Sequence, residues 1–163
     1  MFTRSPLIAV VDDDRAVVQL VSAFLEAQEY RTVSCLQAAE ALALIEAAHA
    51  DLVLLDIQME QWDAGLKVLS ALRQHASTRS VRVIVCSANL PLLRQQEQRI
   101  LALDAKMLEK PYTLDTLLAK VDAALGRPPR LELDQPNGTY LPRVPRILQA
   151  EKHDAVQNLF RTR

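Results

Sequence analysis

Cysteine, aromatic residues and long apolar runs are all scarce in this sequence, and each scarcity excludes a class of protein. Cys35 and Cys86 are too few for a disulfide framework or a zinc site, and no Cys-x-x-Cys spacing occurs. They read as small buried hydrophobes. No apolar run approaches the roughly 18 residues that span a bilayer, and the N-terminus has neither the basic segment nor the apolar stretch of a signal peptide. A cytoplasmic protein with no membrane partner is the expectation. Aromatic residues make up 4% of a chain that is 50% hydrophobic, so the core has to be built from Leu, Val, Ile and Ala, the usual filling between a parallel sheet and its helices. Excess charge is lacking too: the net charge is −1, with 12 basic and 16 acidic residues in 1–126 (net −4) and 7 and 4 in 127–163 (net +3). That polarity is far from the strongly basic face of a nucleic-acid binder, so no nucleic-acid partner is expected.

What the chain does have is Asp12, Asp13 and Asp14 standing directly after the apolar run Leu7-Ile8-Ala9-Val10-Val11. Carboxylates this close raise one another's pKa unless a cation sits among them, so the cluster is either a helix start or a cation site. Asp13 or Asp14 as the N-cap of a helix through Val17, Val18, Val21 and Leu25 is the plainer account.

Short β-branched runs alternate with helix-period segments up to residue 126. The spacing predicts strands over Leu7–Val11, Arg31–Ser34, Asp51–Leu55, Val81–Cys86 and Lys106–Leu108. Helices are predicted over Leu36–Ala48, opened by the Ser-x-x-Gln capping box Ser34-Cys35-Leu36-Gln37, over Gly65–His75 and over Leu90–Leu103. A last helix has Thr113 as N-cap, Leu114, Leu117, Leu118, Val121 and Leu125 on one face, and Gly126 as its stop. Successive βα units imply an α/β fold with a parallel sheet covered on both faces, because each right-handed crossover lays its helix over the strands. From Arg127 the character changes. Pro128, Pro129, Pro136, Pro142 and Pro145 break the periodicity, Asn137-Gly138 marks a turn, and 146–161 has the composition of a short helix. The domains expected are therefore 5–126 and a Pro-rich linker or arm over 127–163.

In parallel sheets functional groups gather outside the carboxyl ends of the strands. Here the third strand ends in Asp56, the fourth in Ser87, and the fifth just before Lys110-Pro111. Each alone has a structural account: Asp56 starts a loop, Ser87 caps a helix, Lys-Pro marks a turn. Together with the acidic cluster they are hard to dismiss. At these stretches (Val10 to Asp14, Asp51 to Met59, Val83 to Ala88 and Leu108 to Tyr112) the chain resembles the receiver domain of bacterial two-component response regulators.

The resemblance implies a flavodoxin-like fold, a five-stranded sheet of order 2-1-3-4-5. In that order the first and third strands are neighbours, so Asp12, Asp13 and Asp56 converge on one pocket whose hard oxygens suit Mg²⁺. By the same resemblance Asp56 is the phosphoacceptor and takes a phosphoryl group from phosphohistidine on a sensor histidine kinase or a histidine phosphotransfer protein. Mg²⁺ would be held by Asp13, Asp56 and the Gln58 backbone carbonyl, and by Asp12 through water. Lys110 and Ser87 would contact phosphoryl oxygens, and Pro111 would follow a cis peptide; Asp14, one place beyond the metal pair, would solvate or cap the first helix. The cysteines would lie three strands apart, at about 4.8 Å per strand, well beyond disulfide reach of roughly 7 Å.

Departures from the family pattern are equally specific. Glu60 stands where Pro is usual and adds a carboxylate near a crowded pocket. The loop Gln61-Trp62-Asp63-Ala64-Gly65 is one residue longer than the usual pattern, and Met107 replaces the common switching Tyr or Phe. Gln58 and Asn89 stand at the pocket mouth. The reading that follows is a stand-alone receiver that promotes its own phosphorylation and dephosphorylation but is not otherwise an enzyme. It would pass its signal to an unknown downstream protein through the fourth helix, fifth strand and fifth helix, with a homodimer through the arm as one option. The alternative is a degenerate receiver acting as a phosphorylation-independent scaffold. A flavin carrier conflicts with the three aspartates, which would repel its phosphate. The aspartyl-phosphate phosphatase pattern wants an Asp where the chain has Gln58.

Overall fold

The computed structural model describes residues 4–128, 131–134 and 139–142, the last two ranges as backbone only. Strands β1 (Leu7–Val11), β2 (Arg31–Cys35), β3 (Leu52–Asp56), β4 (Arg82–Ser87) and β5 (Ala105–Glu109) form one sheet of order β2-β1-β3-β4-β5. Every pairing in it is parallel. Helices α1 (Arg15–Ala27), α2 (Ala38–Ala48), α3 (Ala64–Gln74), α4 (Leu90–Ala102) and α5 (Leu114–Ala124) alternate with the strands. This is the α/β, flavodoxin-like architecture expected from the sequence.

The central strands are apolar on both faces because both faces are covered. Ala9, Val11, Val53, Leu55, Val83 and Val85 point into a core shared with α2, α3 and α4. Their neighbours Ile8, Val10, Leu52, Leu54, Ile84 and Cys86 point into a second core with α1 and α5. Cys35 belongs to the first core and Cys86 to the second, so the two thiols face opposite sides of the sheet, and both are free.

Helix starts follow local chemistry. Asp14 caps α1 by accepting from Ala16 N and Val17 N, Asn89 caps α4 at Leu92 N, and Thr113 caps α5 at Thr116 N. The expected capping box before α2 does not form. Ser34 is held in β2 opposite Val10, so the helix begins later, after Gln37, whose side chain makes no cap bond.

Helix ends show the cost of having 3 glycines in the chain. Among the described residues Gly126 is the one glycine at a left-handed stop, at φ 68°, while Glu29, His49 and Asp104 adopt positive φ without being glycine. His49 sits at the exposed end of α2 at φ 51°. His49→Gly is therefore expected to stabilise the fold by about 0.5–1 kcal/mol, the Cβ penalty removed less the extra chain entropy of glycine. A urea midpoint that does not rise would refute this.

Beyond α5 the chain is pinned before it leaves the sheet. Tyr30 Oη donates to the buried Asp122 carboxylate, and the Arg127 guanidinium lies 4.8 Å from the Tyr30 ring centroid. The expected irregular arm contains two antiparallel strands, β6 (Leu131–Asp134) and β7 (Thr139–Pro142). The turn expected at Asn137-Gly138 and the helix expected over 146–161 lie outside the described residues. Among the described residues no helix is long and apolar enough to cross a membrane.

Candidate functional site

Parallel pairing brings the carboxyl ends of β1 and β3 together: Val11 pairs with Leu55, and each strand then delivers its acid at the same height. Asp12, Asp13 and Asp56 each present an oxygen within 4.8 Å of the others. Asp12 and Asp56 are buried, whereas Asp13 is half-buried. The backbone fixes two of the three. Asp14 N donates to Asp12 Oδ1 at 2.9 Å, and Gln58 N donates to Asp56 Oδ1 at 3.2 Å.

Lys110 closes the group from β5. Its backbone N donates to the Ser87 carbonyl at 2.8 Å, and a cis peptide joins it to Pro111. Its Nζ donates to Asp12 Oδ2 at 2.7 Å and to Asp56 Oδ2 at 3.0 Å, all three side chains being under a tenth exposed. Burial alone would lower the affinity of the ammonium for its proton. Asp56 and Asp12 outweigh burial, and the group is held above the usual lysine range. Asp56 is governed by burial, which pushes its carboxyl up to about 6; Lys110 pulls it back and Asp12 pushes it further. A carboxylate so placed is desolvated, oriented by two donors and close to other acids, the environment of a reactive group rather than of a surface charge.

The neighbours differ in how closely they join this group. Ser87 is fully buried, and its Oγ accepts from Asn89 N at 3.0 Å. Asn89 itself serves the start of α4. Cys86, one residue before Ser87, has its thiol pushed up to about 12 by burial, so it stays protonated and inert at neutral pH. Met107 is half-buried against the α2, α3 and α4 core, with its carbonyl accepting from Lys120 Nζ at 3.0 Å. Glu60 does not crowd the acids as its position suggested. Its Oε1 accepts from Ala38 N at 2.8 Å, at the start of α2.

Gly65 is the residue that sequence reasoning undervalued. Its N donates to the Ile57 carbonyl at 3.0 Å, and a Cβ there would lie 2.0 Å from the Asp56 carbonyl oxygen. The start of α3 is thus packed directly on the Asp56 backbone. A glycine nine places after an acid at a strand end was the only available signal.

Residues 8–122 match the family model for the response regulator receiver domain. The chain belongs to this family. The receiver is 34% identical over 123 residues to the response regulator MprA of Mycolicibacterium vanbaalenii, covering 74% of this chain and 50% of that protein. It is 29% identical over 154 residues to the DNA-binding dual master transcriptional regulator RpaA of Synechocystis sp., covering 93% of this chain and 62% of that one. The chain therefore spans about half to three-fifths of the length of these regulators. Among solved structures it is similar to a CheY-like receiver domain protein from Methanospirillum hungatei, with 25% identity and a TM-score of 0.68 over 75% of this chain and 94% of that one. The receiver is a signalling domain by family, and its acids, Ser87 and Lys110 occupy the strand ends where the resemblance put them.

Proposed function

We propose that this receiver is a phosphorylation switch in which Asp56 accepts a phosphoryl group from phosphohistidine on a sensor kinase or a histidine phosphotransfer protein. An Asp56 carboxylate oxygen attacks phosphorus, the phosphorus–nitrogen bond breaks, and the imidazole leaves as the aspartyl phosphate forms. The observation that carries this reading is the Lys110 ammonium hydrogen-bonded to Asp56 and Asp12 inside a group of three acids. Such a cation stabilises charge on the incoming group as readily as on the carboxylates.

The donor set also fits Mg²⁺. It is all oxygen, two of its members are buried, and its spacing is on the scale of octahedral coordination, where opposite ligands lie about 4.2 Å apart. Asp12, Asp13 and Asp56, with the Gln58 carbonyl, would hold the ion, which supplies charge neutralisation for phosphoryl transfer. Lys110 then keeps the acceptor oriented, and Ser87 offers a hydroxyl at the end of the adjacent strand.

The switching unit is taken as residues 5–126, with 127–163 as a separate arm. Output would pass through the face of α4, β5 and α5, where a cleft of about 630 Å³ is lined by Leu93, Arg94, Glu97, Met107, Tyr112 and Lys120. Because RpaA is named as DNA-binding, the expectation of no nucleic-acid partner is confined to the receiver body, whose net charge over 1–126 is −4.

Intact-protein mass after incubation with Mg²⁺ and acetyl phosphate tests the assignment. Wild type should gain one phosphate, and Asp56→Asn should gain none. An equal gain in both would move the acceptor elsewhere; no gain in either, together with no Mg²⁺ binding, would leave the scaffold reading.

A further inference from the structure

We propose that Glu60 is a positioning residue that couples the phosphoacceptor loop to helix α2, so that loading at Asp56 and the state of the α2 N-terminus are read by one another. This rests on the phosphoacceptor reading above and goes beyond it.

The first turn of a helix leaves N–H groups without intrahelical partners. In α2 the preceding Gln37 offers no side-chain bond, and the acceptor comes instead from Glu60, 22 positions away, at 2.8 Å from Ala38 N. A carboxylate suits that place twice over, as a hydrogen-bond acceptor and as a negative charge at the positive end of the helix dipole.

Glu60 sits on a loop with little slack. It follows Asp56 by four residues, and between them Gln58 N is bonded to Asp56 Oδ1 and Met59 N to the Gln61 carbonyl. The other side of α2 is tied in as well. Cys35 Sγ donates to the Gln37 carbonyl at 3.1 Å, and the Cys35 carbonyl accepts from Asp12 N at 3.4 Å. The first turn of α2 therefore hangs between the backbones of two pocket acids.

A group bonded to Asp56, or a ligand taken by the Gln58 carbonyl, repositions this loop, and the α2 cap must follow or break. Glu60 also walls a cleft of about 380 Å³ between α2 and α3, together with Ala38, Leu42, Ala64 and Val68. The coupling gives that cleft a shape that depends on the pocket. Reciprocity holds: whatever binds the cleft and moves Glu60 changes affinity at Asp56 by the same factor. A proline here, the usual family residue, has no acceptor side chain to offer.

Amide hydrogen exchange on the full chain tests this, with wild type, Glu60→Ala and Glu60→Gln each measured with and without Mg²⁺ plus beryllium fluoride as a phosphoryl mimic. Bound fluoride is followed separately by ¹⁹F NMR. In wild type, exchange over the first two turns of α2 should change threefold or more on loading. In Glu60→Ala it should be about fivefold faster than in unloaded wild type, the factor a lost cap is worth, and should no longer respond to loading. Glu60→Gln keeps an acceptor oxygen and should keep the response. A role confined to stabilising α2 would speed exchange yet leave the response to loading intact, and that result overturns the coupling, as does a silent wild type with fluoride bound. Absence of bound fluoride in wild type overturns the phosphoacceptor reading itself, a distinct result with which the coupling also falls.

Discussion

Replacing Gly65 with alanine should cost about 3 kcal/mol or more of folding stability and should abolish the phosphate gain at Asp56. The added Cβ would lie 2.0 Å from the Asp56 carbonyl oxygen, 2.7 Å from Ile57 Cα and 2.9 Å from the Asp56 carbonyl carbon. All three contacts are with backbone, so no side-chain rotation relieves them. Either the start of α3 lifts off β3, breaking the bond from Gly65 N to the Ile57 carbonyl, or the end of β3 shifts and takes Asp56 with it. Overpacking costs commonly reach about 1–3 kcal/mol even where side chains can yield, and here they cannot. Leu66→Ala is the control, because it empties a buried position next door and should cost a comparable 2–5 kcal/mol. It leaves the Asp56 backbone in place, so its phosphate gain should survive under conditions where the protein is folded. An unfolding free energy for Gly65→Ala, from urea titration, within about 0.5 kcal/mol of wild type, the range of an ordinary surface substitution, would show that the helix start moves freely and that Gly65 sets nothing.

The contrast between Gly65 and Asp56 shows what a sequence carries at this site. Asp56 and Ser87 were legible because each closes a short, near-continuous apolar run of the kind that marks a strand buried on both faces, and Lys110 because it stands just past the fifth such segment; parallel strands deliver their ends to one edge. Asp14 and Thr113 were legible as caps because capping is decided within three residues. Several of the misses involve partners distant in the chain. Glu60 is bonded to Ala38, and Tyr30 to Asp122 across 92 positions, and neither pairing leaves a local trace. The box at Ser34 was a sound local signal that lost to sheet pairing with β1, since a strand bonded to a neighbour gives up more than one cap can return. The helix ends expected at Ala48 and Leu103 lie within a residue of those observed, Ala48 and Ala102, although the turns just beyond them, at His49 and Asp104, are marked by no glycine. Residues that rarely adopt a left-handed conformation do so there because the chain must turn where tertiary packing requires it.

Lys110→Met should show a loss of stability that grows with pH, because the substitution keeps an unbranched apolar side chain, one heavy atom shorter, and removes the ammonium with its charge and its hydrogen bonds to Asp12 and Asp56. With Nζ 2.7 Å from Asp12 and 3.0 Å from Asp56, its removal leaves two buried carboxyl groups without their shared cation. Breaking a buried ion pair in this way costs about 3–5 kcal/mol when the remaining charge cannot escape. Asp56 has an escape, which is protonation. Its carboxyl already sits at about 6, burial being the main cause, and Lys110 is the chief influence holding it from going higher. In the variant the folded protein therefore binds a proton at Asp56 more tightly than the unfolded chain does, whose carboxyl lies near 3.9. Where the native state holds more protons than the unfolded state, stability falls as pH rises. The penalty should thus be small near pH 4, grow as pH rises through 6, and be complete only above the raised folded value. Urea unfolding of wild type and Lys110→Met from pH 5 to pH 8 measures it directly. The double variant Lys110→Met, Asp56→Asn should recover part of the loss at pH 8, since the uncompensated charge is then gone. A penalty equal at pH 5 and pH 8 would mean that Lys110 holds the site by packing alone, and that the ammonium is not what keeps Asp56 ionised and ready to attack.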